Sequence, residues 1–183
     1  MRRSILACVG LLAFACVTAA TSAPRAEANR EAATKRAAIA RLGAEIVASQ
    51  KATWRWQRVM GVALTPTAGR ALAAMSVSDA ADAARVWRLR AVVAERKAQH
   101  PPQLKAWLCI HRYEGSWKDT GDPYWGGLQM DVTFQRHYGA WLYAHKGTAD
   151  HWTPLEQIWV AVRAARTRGF WPWPNTARYC GLM

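Results

Sequence analysis

Acidic side chains are scarce in this chain, its histidines lack ligand-like spacing, and its apolar N-terminal stretch is shorter than a membrane span. Asp and Glu together number 12 against 25 Lys and Arg, a formal net charge of +13. That balance favours negatively charged partners. No recognised nucleic-acid motif accompanies the charge, so a nucleic acid is not the expected partner. His111, His137, His145 and His151 do not pair at helical spacing, so neither a metal nor any other cofactor is expected. The apolar run at residues 5–17 falls short of the ~20 residues that cross a bilayer.

That short run has another reading. Arg2 and Arg3 precede it and small residues follow at 18–23, the order of a secretory signal peptide. Cleavage after Ala20, Ala23 or Ala28 fits, and residues 1–28 are taken as the segment removed. A lipid anchor through Cys16 is the weaker alternative, because no Leu-led small-residue motif precedes it. The expected location is therefore the cell wall or the exterior. Export removes Cys8 and Cys16 and leaves Cys109 and Cys180. Two thiols in an exported protein most simply form one disulfide, with two buried free thiols as the alternative. Such a bridge closes a loop of about 70 residues, worth on the order of 4 kcal/mol in the chain-entropy model.

What remains is unevenly composed. Residues 29–100 hold 13 Lys and Arg against 5 Asp and Glu, whereas residues 101–183 hold 9 against 6. Eight of the 11 Trp and all five Tyr fall after residue 100. The prediction is one domain at 101–183 with a basic helical appendage at 29–100, joined at Pro101 and Pro102, which stop the preceding helix. The overall class is mainly α. Residues 28–60 are rich in good helix formers and free of proline, and carry a narrow apolar stripe of Ile39, Leu42, Ile46 and Val47. A second helix is expected from about Ser78 and Asp79. Val86, Leu89, Val92 and Val93 form its apolar face, surrounded by Arg85, Arg88, Arg90, Arg96 and Lys97. These helices read as solvated and packed on each other or on the downstream domain. Alternatively, they attach the chain to anionic wall polymer or membrane.

The second segment carries the chemistry. After Pro102 a helix runs to a stop at Gly115, placing Glu114 in its last turn. The negative end of the helix dipole disfavours an ionised carboxylate there. Nearby aromatics, Tyr113, Trp117, Tyr124 and Trp125, exclude water and act in the same direction. A carboxyl group kept protonated in this way suits general acid catalysis. Nine residues beyond Trp117 comes the turn Gly126-Gly127-Leu128-Gln129, whose glycines let backbone approach a ligand and whose amide can bond a sugar. Trp117, Tyr124 and Trp125 offer flat faces to a pyranose ring. Asp131 is expected to cap a helix at 132–138. Thr153, Pro154 and Glu156 form a capping box with proline at the first helical position, opening a scaffold helix that Gly169 ends.

Taken together, Trp107, the Glu114-Gly115-Ser116-Trp117 stretch, Tyr124-Trp125-Gly126-Gly127-Leu128-Gln129, the Thr153-Pro154-Leu155-Glu156-Gln157 helix start and the closing Gly169-Phe170-Trp171-Pro172-Trp173-Pro174 resemble the transglycosylase-like domain of resuscitation-promoting factors. That family is an actinobacterial branch of the lysozyme-like superfamily. The resemblance covers about residues 104–183, and cysteines near its first and last elements match in kind. It implies a small, mainly helical lysozyme-like domain that cleaves the MurNAc–GlcNAc bond of peptidoglycan. Glu114 takes the place of the catalytic acid and Gln129 that of a substrate contact, with Gly127 and Thr133 beside them. Three positions depart from the pattern. Tyr113 stands where the family has cysteine, Gly115-Ser116-Trp117 replaces Ser-Gly-Gly, and Thr133 fits only with an offset of one residue.

In the mechanism this implies, Glu114 protonates the glycosidic oxygen. The sugar's own 6-hydroxyl, or water, then captures the oxocarbenium-like centre. Hydrolysis needs a second carboxylate. The candidates are Asp131, Asp122 and Asp119, the first read as a helix cap and the others as turn residues. Intramolecular capture is therefore favoured. A non-catalytic wall-binding module is the alternative, and the oligomeric state is not legible.

Overall fold

Two long helices form a hairpin, and five shorter ones fold beneath one end of it. The computed structural model describes residues 22–67 and 74–183, so the apolar run at 5–17 and its flanking arginines lie outside the described residues. Helix α1 spans Ser22–Met60 and α2 spans Val77–Ala98. They are followed by α3 (Leu104–Glu114), α4 (Val132–Tyr138), α5 (Ala140–Lys146), α6 (Pro154–Arg168) and α7 (Pro174–Tyr179). The chain is mainly helical, as expected. Among the described residues the one extended feature is an isolated antiparallel bridge between Trp125 and Met130.

The helix boundaries follow local chemistry. Ser76 caps α2 and Asp79 closes a capping box, one residue ahead of the expected start. Asp131 caps α4 through the Phe134 N–H, and Thr153 and Glu156 form the capping box of α6 with Pro154 in its first turn. Gly115 ends α3 with a φ of 136°, a conformation that side chains resist. Helices α5 and α7 were not anticipated. Both are short, and neither carries a side-chain cap. Packing holds them.

The hairpin packs differently from its periodicity. Leu42 and Ile46 of α1 bury against Ala80, Ala84 and Trp87 of α2. The expected apolar face of α2 points outward instead: Val86, Leu89, Val92 and Val93 are 42%, 61%, 52% and 51% exposed. Alanines let the helices approach closely, and Trp87 fills the remaining gap edge-on against Trp54. On the α2 side the interface is made by Ala80, Ala84 and Trp87, and the valines and leucine of the expected face stay outside it.

The other end of the hairpin enters the main core. Val59 and Met60 of α1 and Ala98 of α2 are buried with Trp107, Ile110, Trp152 and Ile158. The Trp159 indole donates to the Ala98 carbonyl at 2.7 Å, and Arg166 donates to the Met60 and Gly61 carbonyls at 2.9 and 3.2 Å. Arg55 of α1 reaches Glu156 at 2.9 Å. Residues 29–100 and 101–183 thus share one core across Pro101 and Pro102.

Buried tryptophans organise that core. Trp107, Trp152 and Trp173 each send the indole N–H to a backbone carbonyl, of Pro102, Gly147 and Leu128 respectively. An aromatic body can be buried this way without orphaning its one donor. Glu156 is fully buried at the start of α6, where it accepts from Lys146 at 2.7 and 2.8 Å, from Arg55 and from the Thr153 N–H. Burial acts to raise its pKa. The hydrogen bonds from Lys146, Thr153 and Arg55 outweigh that effect, so the carboxyl group sits below its ordinary value.

Candidate functional site

Glu114 is the last residue of α3 and is partly buried. Its Oε1 accepts the Thr176 hydroxyl at 2.7 Å, a contact that joins α3 to α7. The two helices are also joined covalently, because Cys109 and Cys180 form a disulfide whose Cα atoms are 6.0 Å apart. Of the two alternatives for the thiols, the bridged one is present. Glu114 opens on a cleft of about 270 Å³ walled by Tyr124, Gln129, Trp173 and Asn175, with Pro172 and Pro174 at its edge.

The wall opposite α3 is the Gly-Gly-Leu-Gln turn. Trp125 and Met130 exchange backbone hydrogen bonds at 3.1 and 3.0 Å and pinch residues 126–129 into a closed loop. Gln129 closes it with a φ of 47°, a left-handed conformation that costs a non-glycine residue on the order of 1 kcal/mol. Its amide Nε2 donates to the Gly126 carbonyl at 2.9 Å and to Asp119 Oδ2 at 2.7 Å. Asp119 Oδ1 accepts the Gly121 N–H at 3.1 Å. Asp119 therefore shapes its own turn, as expected of it, and also orients Gln129.

The sequence-selected residues divide into two groups. Glu114, Tyr124 and Gln129 come together on the cleft. Trp117 lies behind it, stacked on His111 with ring centroids 3.8 Å apart, and Trp125 is partly buried against the main core. Gly127 is buried too, so its glycine serves internal packing and not close approach of a ligand. A Cβ there would meet His111 Nδ1 at 2.5 Å and Trp117 at 2.7 Å. Thr133 is exposed on α4, outside the cleft lining. Asp131 is committed to capping α4, and Asp122 is exposed in the loop before Tyr124. His111 is a partly buried strut whose Nδ1 lies 3.0 Å from the Gly127 carbonyl.

Three residues that shape the site escaped the sequence reading. Thr176 follows an aromatic strap, Phe170-Trp171-Pro172-Trp173-Pro174, where no helix was expected. Trp173 forms one wall while its indole holds the Leu128 carbonyl at 2.7 Å, tying the strap to the turn. Gln157 is fully buried on α6: its Oε1 accepts the Gly127 N–H at 2.9 Å, and its amide group donates to the Trp117 and Ala149 carbonyls. A glutamine set between the capping box and the apolar run 158–162 was the available signal, because a buried amide needs hydrogen-bond partners. Among the described residues, no group of three or more His, Cys, Asp or Glu is placed to hold a metal ion.

No protein-family model, no curated protein and no solved structure matches this chain.

Proposed function

We propose that the chain is an exported enzyme that cleaves the MurNAc–GlcNAc bond of peptidoglycan, of the lytic transglycosylase type, with Glu114 as its general acid. The observation that carries the proposal is Glu114 facing a cleft shared with Tyr124 and Gln129, one oxygen held by Thr176. The likeness of residues 104–183 to the resuscitation-promoting-factor domain supports the same assignment. A cleft of about 270 Å³ lies below the ~300–1,000 Å³ typical of small-molecule sites. That size suits one ring of a polymer whose remainder lies outside. The disulfide fits an oxidising compartment.

The division of labour within the carboxyl group follows from its contact. Thr176 donates to Oε1, which leaves Oε2 to carry the proton toward the cleft. Transfer of that proton to the glycosidic oxygen breaks its bond to the sugar C1 and develops positive charge there. Gln129 and the Tyr124 ring line the space in which the sugar is held. Among the described residues lining the cleft, Glu114 is the one carboxylate. The sugar's 6-hydroxyl then closes on C1 and returns a proton to ionised Glu114. One carboxyl group serves first as acid and then as base, and a 1,6-anhydro end results. Hydrolysis would need a second carboxylate to direct water, and Asp119 and Asp131 are engaged elsewhere.

Purified peptidoglycan digested by the chain, with products read by mass spectrometry, tests this. Anhydro-ended muropeptides are expected, and their loss in a folded Glu114→Gln variant. Undiminished release by that variant overturns the proposal. Sedimentation with the insoluble wall but no soluble product would reduce it to a binding module. Reducing-end products would make the enzyme a hydrolase.

A further inference from the structure

A second apolar surface of the described structure lies away from Glu114. It lies on the hairpin, where α2 turns Val86, Leu89, Val92 and Val93 outward and the following loop of α1 exposes Val62 and Leu64. Isolated exposed apolar residues are ordinary, but a contiguous set of them marks a contact surface. Here Val62, Val86, Leu89 and Val93 are contiguous. A groove of about 420 Å³ runs between α1 and α2 with Val86, Leu89, Val93, Met60 and Val62 along it. A second cavity, of about 520 Å³, shares Met60, Val62 and Lys97 with it and continues to Pro102 and Trp159.

The charges around this surface have one sign. Arg90 and Lys97 line the first cavity, and Arg96, Lys97 and Arg166 the second, while neither lining contains an Asp or Glu. Arg85 and Arg88 are neutralised by Asp82 and Glu45 at 3.0 and 2.7 Å. Arg90, Arg96 and Lys97 have no ion pair among the described residues. Around α2, Arg85 and Arg96 flank the Leu89–Val93–Val86 ridge on one side, and Arg90 and Lys97 flank it on the other, by helical geometry. Arg90 is additionally held over the Trp87 ring at 4.8 Å.

An apolar ridge between unpaired cations, Arg96 on one side and Arg90 and Lys97 on the other, complements a surface with apolar depth and negative headgroups. We infer that this face of the hairpin binds the surface of an anionic lipid bilayer. Leu89, Val93 and Val86 enter the acyl boundary, and Arg90, Arg96 and Lys97 contact the headgroup phosphates. A soluble wall polyanion would satisfy the cations and leave the ridge in water. A second copy of the chain would bring the same uncompensated cations against themselves. Among the described residues no helix is long and apolar enough to cross a membrane. Contact through this face therefore lies along the bilayer, and α1 and α2 would hold the cleft domain near it.

Co-sedimentation of the full chain with vesicles of phosphatidylglycerol and phosphatidylcholine, against phosphatidylcholine alone, tests the inference. Binding is expected only to the anionic vesicles. Arg90→Gln/Arg96→Gln/Lys97→Gln should weaken it about a hundredfold, since each cation near such a surface contributes about a factor of five. Leu89→Asp/Val93→Asp should also abolish binding at raised salt, where screening removes the electrostatic part and leaves insertion. These positions are exposed, so circular dichroism is expected to be unchanged, as is peptidoglycan digestion.

Three results overturn the inference. The first is no preference for anionic vesicles. The second is binding that Leu89→Asp/Val93→Asp leaves intact, which would assign it to charge alone or to the apolar run at 5–17. The third is a dimer in solution that the same substitutions dissociate. None of these touches Glu114, so failure here leaves the catalytic proposal standing.

Discussion

Thr176 donates its hydroxyl to Glu114 Oε1 across 2.7 Å and a sequence separation of 62 residues. The donor sits on a six-residue helix, α7, and the acceptor at the end of α3, so the acid's orientation depends on how those two elements are held together. A hydrogen bond to a carboxylate is worth about 1.5–3 kcal/mol. Thr176→Val is therefore expected to lower kcat about 10- to 100-fold with little change in KM, because the contact orients the acid and does not bind sugar. Thr176→Ser keeps the hydroxyl and should recover most of the loss. A merely structural role would show the opposite, a loss of thermal stability that serine fails to rescue. Steady-state kinetics on soluble glycan fragments separates the two.

The disulfide between Cys109 and Cys180 spans a sequence separation of 71 and bridges the same two helices. Removing it as Cys109→Ser/Cys180→Ser should cost about 4 kcal/mol through the freed loop. For a domain of this size that is a fall of roughly 10 °C in Tm, measurable by calorimetry. Activity should fall further than stability at temperatures where the protein remains folded, since α7 also carries Thr176.

Glu156 provides a pH dependence with a definite sign. Its folded pKa lies below the ordinary 4.5 because Lys146, Thr153 and Arg55 stabilise the charged form beyond the cost of burial. The native state therefore holds the proton less tightly than the unfolded state. This contribution to stability is fully present above pH 4.5 and disappears as pH falls through the lower, folded value. Glu156→Gln leaves the partly exposed Lys146 and Arg55 facing a neutral group and should cost about 1.5–3 kcal/mol at neutral pH. The variant's denaturation midpoint should also change less than the wild type's below about pH 4.5.

Gly127→Ala tests the turn. The added Cβ would lie 2.5 Å from His111 Nδ1 and 2.7 Å from the Trp117 ring, in a stack with no slack behind it. Overpacking of this kind costs about 1–3 kcal/mol. The strain should displace Gln129 as well, raising KM for glycan at temperatures where the variant stays folded. If Gly127 instead faced the ligand, alanine would raise KM with no change in Tm.

Much of the local architecture is readable from residues close in sequence. The capping boxes at Ser76–Asp79 and Thr153–Glu156, the cap at Asp131 and the stops at Gly115 and Gly169 all concern groups within one helical turn, and each forms as its residue types dictate. Glu114 and Gln129 line the same cleft, a pairing that came from the resemblance and that no rule of local geometry dictates across the 14 residues between them. What was not legible depends on distant partners. Periodicity marked Val86, Leu89 and Val93 as an apolar face but not which face would meet α1, and the alanine face allowed the closer approach. Trp117 and Trp125 are aromatic enough for either a cleft or a core. The space behind the turn, occupied by His111, drew Trp117 inward.

By itself, then, the sequence determined the helical class, the helix ends at Gly115, Asp131, Thr153 and Gly169, the candidate acid and the cysteine pair available to brace it. These properties rest on local hydrogen bonding and composition. Only the tertiary structure decided that Thr176 would hold that acid, that Gln157 would wire the turn from behind, and that the basic hairpin would share the core while exposing its valines. Each of those outcomes is set by competition for buried space and for partners of buried polar groups, and that competition is resolved only when the whole chain has packed.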